Sequence, residues 1–176
     1  PLKMTRTRSA RTLRADQEED EARYHLSVIN DDMDPVFRTA ESVMSEERPL
    51  VPLQYGGHHF EIFDGAAGLS SAVVDVARLG AMLASEDGSP VLSKSRRRQM
   101  LEAGAEAYAA AVEAGVEDPQ GFHGFDFVIK NLDGSFSFSK GGSIDGVRTR
   151  LAGRTNGRIY AFAFNGDKRK GGRADW

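Results

Sequence analysis

Cysteine is missing altogether from these 176 residues, so disulfides, thiol nucleophiles and cysteine-held zinc are excluded. No apolar run approaches the roughly 20 residues of a membrane-spanning helix, and no signal peptide is visible. A chain without thiols fits either side of a bacterial membrane, so the compartment stays open. Positive charge is not in excess either. The 23 Lys and Arg stand against 26 Asp and Glu, a net charge of −3, which argues against a nucleic-acid partner. What remains is a chain of 40% hydrophobic content, long enough for one core.

The charges that are present are unevenly placed. Lys3, Arg6, Arg8, Arg11 and Arg14 are followed by Asp16, Glu18, Glu19, Asp20 and Glu21, and opposite-sign blocks of this kind read as a solvated loop or an exposed helical turn with no ligand site. From Ser27 to Gln54, Pro35, Pro49 and Pro52 break any helix, predicting a surface excursion with short pieces of structure. His58 and His59 follow a Gly-Gly pair, with Glu61 and Asp64 nearby. Adjacent histidines seldom share one ion, and the i, i+4 helical spacing of zinc hydrolases is missing. We assign no metal and no cofactor; Tyr55 or His58 is better read as a group at the edge of a cleft.

Two helices are signalled next. Ser70 or Ser71 can cap a helix that places Asp75 in its first turn and Val73, Val76, Ala77, Gly80 and Leu83 on one face. Ser93 can cap a second helix through Met100 and Leu101, with Arg96, Arg97 and Arg98 on a solvated face. Ala103 to Ala114 is alanine-rich and predicted helical, ending near Gly115 and Pro119.

After Gly121 the period changes to two. Phe125 to Ile129 is rich in aromatic and β-branched residues, Asp133-Gly134 is a hairpin turn, and Phe136 and Phe138 alternate with Ser135, Ser137 and Ser139. Val147, Thr149 and Leu151 then alternate with Arg148 and Arg150, Asn156-Gly157 supplies a second turn, and Ile159 to Phe164 returns. The expectation is an antiparallel meander in which one strand ends in Lys140-Gly141-Gly142-Ser143. Lys140 brings a cation that can bind a carboxylate or steer a proton. The glycines lack Cβ, so a substrate can lie against the strand edge and meet backbone N–H donors, as an oxyanion hole requires. The same run also reads as a Gly-rich turn between strands.

Three segments, in order, resemble the serine β-lactamase and penicillin-binding-protein superfamily, in its class C β-lactamase, esterase and D-aminopeptidase-like branch. Pro1-Leu2-Lys3-Met4-Thr5-Arg6-Thr7-Arg8 is similar to a "PLGMxxT" segment, with Lys3 where glycine is usual. Gly65-Ala66-Ala67-Gly68-Leu69-Ser70-Ser71-Ala72 through Asp75 and Leu79 is similar to an "AGGLxSTAxDLARF" helix start. Lys140-Gly141-Gly142 falls where the family carries its Lys/His-Thr/Ser/Gly-Gly motif. The resemblance implies a partial DD-peptidase-like fold of α+β class, lacking its N-terminal strands and helical region. Its expected parts are an irregular charged segment 1–64, helices over 65–118, the meander over 119–167 and a basic tail 168–176, all within one partial domain.

The resemblance also implies an activity. The family's Ser-x-x-Lys nucleophile and its Tyr-x-Asn or Ser-x-Asn motif normally precede the segment that begins here. Ser137-x-x-Lys140 fits the first by letters, but residues three apart on a strand point to opposite faces, so it is rejected. No Tyr is followed two residues later by Asn. By position, Lys140 and Ser143 would serve catalysis, and Lys140, Gly141, Gly142 and Ser143 would bind an ester, peptide or β-lactam substrate. The expected role is part of a serine hydrolase, inactive by itself; the alternative is a noncatalytic peptide- or acyl-binding or assembly fragment. In the family, two N-terminal strands complete a five-stranded sheet. Without them Tyr160, Phe162 and Phe164 should line an exposed face, so the expected partner is a missing N-terminal half or a swapped copy.

Overall fold

Among the described residues of the computed structural model, eleven strands and two α-helices follow one another. They are β1 (Thr7–Ser9), β2 (Ser27–Ile29), β3 (Pro35–Phe37), β4 (Thr39–Glu41), β5 (Leu50–Pro52), β6 (Leu69–Ser71), α1 (Val73–Ala84), α2 (Lys94–Glu113), β7 (Phe122–Gly124), β8 (Phe127–Leu132), β9 (Ser135–Ile144), β10 (Val147–Arg154) and β11 (Ile159–Phe164). The structure describes residues 2–21, 27–29, 35–37, 39–63, 67–85, 87, 89–116, 122–124, 127–132, 135–144, 147–155 and 157–165. Asp64 to Ala66, Pro119, Gly121, Phe125, Asp133-Gly134, Asn156 and the basic tail lie outside them. Among the described residues no helix is long and apolar enough to cross a membrane. The chain divides into two compact units: Pro1–Arg6 with Ala72–Gly141 and Arg150–Phe162, and Thr7–Ser71 with Gly142–Thr149 and Ala163–Trp176.

The first unit is built on the meander. Its sheet has the order β11-β10-β9-β8-β7, as the alternating pattern and the turn residues require. The resemblance implied a sheet completed to five strands by segments from elsewhere, whereas five strands come from this chain. The difference arises at Phe122–Gly124, which folds back on β8 with Gly124 opposite Phe127. The β8–β9 register runs from Val128↔Ser139 to Leu132↔Ser135 and sets Ile129 opposite Phe138. Both side chains are fully buried.

These two anchor a core with Met82, Leu83, Ala84 and Leu101, against which Leu79, Met100, Phe127, Phe136 and Ile159 pack. Each large apolar side chain buried there contributes about 1.5–3 kcal/mol. Phe127 meets Phe138 edge-on, with ring centroids 6.0 Å apart. Glycines make this packing possible. A Cβ at Gly80 would lie 2.7 Å from Leu151 Cδ1 and 2.8 Å from Ile159 Cγ2, and one at Gly153 would lie 2.5 Å from Phe138 Cζ.

The helices depart from the sequence reading at their ends. Ser70 and Ser71 do not cap α1: they belong to β6, and the N-cap is Ala72 without a side-chain bond. The strand partner for β6, β1, lies more than sixty residues away, beyond the reach of a local capping argument. Asp75 in the first turn is fully buried, and its carboxylate accepts from the Arg6 amide at 2.7 Å and from Arg78 Nη1 at 2.6 Å. It thereby fixes the N-terminal segment to the helix.

Ser93 does cap α2, accepting from the Arg96 amide at 3.3 Å, and the two helical stretches read from sequence are one helix. Its arginines are not all solvated. Arg97 is buried and donates to the Leu83 carbonyl at 3.1 Å, satisfying the last turn of α1, while Arg98 pairs with Glu102 one turn on. Helix α2 packs on β7 and β8.

At the other end of the sheet order, β11 is an edge strand. Ile159 packs on the core, while Tyr160, Phe162 and Phe164 are exposed by 62%, 37% and 52%, the alternation expected from the sequence.

In the second unit, short antiparallel pairs replace long elements: β1 with β6, β2 with β3, and β4 with β5. The Pro-interrupted stretch is indeed a set of short pieces. Its buried polar centre is Thr12, whose hydroxyl accepts from the Phe60 amide at 2.8 Å and donates to Glu61, and whose amide donates to Glu61 Oε1 at 2.9 Å.

Candidate active-site cleft

Beyond Ser139, which pairs with Val128 of β8, strand β9 continues as Lys140-Gly141-Gly142-Ser143, and all four residues are exposed. Gly142 and Ser143 belong to the second unit and form one wall of a cleft of about 320 Å³, a size suited to a small ligand. Ile144, Val147 and Thr149 continue that wall through the β9–β10 hairpin. Gly142 has a packing reason to be glycine, since a Cβ there would stand 2.6 Å from Thr149 Oγ1. Lys140 and Gly141 belong to the first unit and are not among the residues lining the cleft.

The remaining wall comes from two stretches that sequence separation would not join. Ala10, Arg11, Gln17 and Glu21 line it from the N-terminal loop, and Phe60 with Ala67, Gly68, Leu69 and Ser70 from the stretch ahead of α1. The β1–β6 ladder, with Thr7 opposite Ser71 and Ser9 opposite Leu69, brings them together. The Ala10 amide extends it by donating to Gly68 O at 2.8 Å. Thr12 then ties the strand exit to Phe60 and Glu61 as described above.

Glu61 is the strongly perturbed group here. Burial pushes its pKa up, but hydrogen bonds from the Thr12 hydroxyl and amide and from its own amide, with His59 nearby, outweigh that and hold it at about 2 against the ordinary 4.5. His59 Nδ1 stands 3.3 Å from Glu61 Oε2. The charge of Glu21 is offset as well, because Arg8 Nε donates to it at 3.2 Å while Arg8 Nη2 donates to Asp20 at 2.8 Å.

The polarised N-terminal block, expected to be solvated and without a site, therefore supplies cleft residues. Tyr55 and His58 do not reach the cleft. Tyr55 lies under the Arg14 guanidinium, 5.7 Å from centroid to Cζ, and His58 packs on Phe60 and Phe63 with centroids 5.9 and 6.5 Å apart. Phe60, which no motif marked, takes the place foreseen for them. The signal for Arg11 lay in Thr5, Thr7 and Ser9 alternating with Arg6 and Arg8, a short strand pattern that delivers the following residues to a fixed place.

Among the described residues the lining contains two serines, Ser70 and Ser143, but neither lysine nor histidine. No protein family matches the sequence, and no curated protein does. Among solved structures, the chain is similar to the octameric penicillin-binding protein homologue from Pyrococcus abyssi, with a TM-score of 0.50 and 20% identity. The alignment covers 94% of this chain and 31% of that one, so the chain spans about a third of the length of its structural neighbour. The fold is an α+β arrangement distantly related to that of penicillin-binding proteins.

Proposed function

We propose that this chain is the Lys-Gly-Gly wall of a serine hydrolase that acts by forming an acyl-enzyme on an ester or amide carbonyl. The observation that carries the reading is Gly142-Ser143, exposed at the end of an alternating strand and lining a ligand-sized cleft. The backbone N–H of Ser143 serves as one oxyanion donor, a contact whose loss typically costs about 2.7–4 kcal/mol in such enzymes. Lys140 places positive charge beside the nucleophile, and Gly141 and Gly142 permit close approach. With glycine rather than Thr or Ser at position 141, a hydroxyl used on β-lactam carboxylates is missing, so an esterase or peptidase is favoured over a β-lactamase.

The nucleophile comes from outside the 176 residues, from another segment of the same protein or from a second copy. A serine in the cleft would need a base, and among the described residues no lysine or histidine lines it. That same lack favours a second reading, a noncatalytic binder of peptide or acyl ligands.

Fluorophosphonate labelling followed by intact-mass analysis separates the two. Applied to this chain alone, it should leave a single unmodified species near 19.2 kDa. Applied to the native protein that contains these residues, it should place the adduct on a serine elsewhere. An adduct on Ser70 or Ser143 would overturn the assignment of the nucleophile, and no adduct in the native protein would favour binding over hydrolysis.

A further inference from the structure

The cleft contains a cation whose purpose the hydrolase reading leaves open. Other arginines of the same unit are engaged: Arg8 with Asp20 and Glu21, Arg14 over the Tyr55 ring, and Arg48 with Glu41 at 3.0 Å. Arg11 differs from them. It lines the cleft and is exposed, and its guanidinium makes no hydrogen bond, ion pair or ring contact with any described residue.

Its backbone is nonetheless held firmly. The Arg11 carbonyl accepts from Gln17 Nε2 at 3.2 Å. The next residue, Thr12, is fully buried and bonded to both Phe60 and Glu61. A long cationic side chain on a fixed base, projecting from a cleft wall with no internal partner, is arranged to meet an anion from outside. Glu21, the carboxylate in the lining, is held by Arg8 and does not compete.

We infer that Arg11 anchors a carboxylate of the ligand, and that the cleft therefore takes a small acyl compound carrying a free carboxylate next to an apolar group. The apolar group has a complementary surface in Leu69, Ile144 and Val147. The planar guanidinium suits a carboxylate, which it can grip through two parallel N–H···O bonds. This deepens the proposed function by naming the ligand class, and it rests on the same cleft being the working one. The carboxylate falls to Arg11 in place of Lys140, which does not line the cleft, leaving Lys140 its electrostatic part beside the nucleophile. Thr12 and Glu61 are positioning residues for Arg11.

The test is a calorimetric titration of the 176-residue chain, which needs no nucleophile and so stands or falls separately from hydrolysis. The probes are N-acetyl-phenylalanine and its neutral carboxamide, which differ only in the charge of one end. At low salt the acid should bind at least about tenfold more tightly than the amide, and high salt should shrink that ratio. Arg11→Gln should bring the ratio to about one, Arg11→Lys should keep part of it, and Arg11→Glu should reverse it. Because Arg11 is exposed, thermal melts of all three variants should match the parent. Equal binding of acid and amide, binding of neither, or an unchanged ratio in Arg11→Gln would each overturn the inference. Labelling of the native protein with an unchanged ratio here would leave the hydrolase reading standing and remove only the role of Arg11.

Discussion

Replacing Glu61 by Gln should weaken the fold in a way that disappears in acid. The native carboxylate accepts from the Thr12 amide and hydroxyl, and an amide side chain of the same size can accept at only one of its two ends. Lowering a carboxyl pKa from 4.5 to about 2 corresponds to roughly 3 kcal/mol at 1.36 kcal/mol per pH unit. The side chain is 24% exposed, and solvent screening brings the expected contribution to about 1–2 kcal/mol.

The sign follows from linkage. A carboxyl with its pKa depressed in the folded state stabilises the protein above its unfolded value, and that stability is lost as pH falls toward the folded one. Urea unfolding of parent and Glu61→Gln at pH 7, 5, 4, 3 and 2 measures this directly. The gap should stay near 1–2 kcal/mol down to about pH 5, narrow between about 4.5 and 2, and vanish at the lower end. A gap that persists unchanged at pH 2, or widens on acidification, would refute the reasoning.

Two further changes test the packing and the backbone. Gly153→Ala places a methyl 2.5 Å from Phe138 Cζ and 2.7 Å from Ile159 Cδ1, so it should cost about 1–3 kcal/mol. Part of that loss should return when Phe138→Leu is added, and strict additivity in urea unfolding would count against the clash. Lys3 has φ of +52°, the left-handed region that costs a side chain about 1–2 kcal/mol. Lys3→Gly relieves that strain, partly offset by the greater freedom of unfolded glycine, and should raise Tm by about 2–4 °C. A fall in Tm would show that the lysine side chain contributes more than the strain costs.

The meander was legible because its signals are local: alternation in Phe136 and Phe138, and paired strands around Asp133-Gly134 and Asn156-Gly157. Ser93 was legible for the same reason, as a cap acts within one turn. Lys3 was marked as standing where glycine is usual, and its positive φ supplies the physical reason. Long-range pairing was not legible. Ser70 and Ser71 look like caps until β1 arrives to make them a strand, and Arg97 looks solvated until the end of α1 offers it a carbonyl. The alternation ahead of Arg11 signals a short strand, but that Arg11 shares a cleft with Phe60 follows from the Thr12 bonds, which no local pattern announces. Of the candidate wall, Gly142 and Ser143 were read from the Lys-Gly-Gly-Ser run at a strand end and from the resemblance it carries, whereas the partners facing them required the fold.

The hold on the first twelve residues has a kinetic consequence. Lys3 O receives Arg78, the Arg6 amide reaches Asp75, Thr7 meets Ser71 and Thr12 meets Glu61, across sequence gaps of 75, 69, 64 and 49 residues. Such contacts reward the chain only after long loops have closed. By contrast, α2 and the β8–β9 hairpin form from neighbours. The N-terminal segment should therefore dock late in folding and, among the described residues, exchange its amide hydrogens early. Arg11 is carried on that segment, so the cleft gains its cation only in the final steps of assembly.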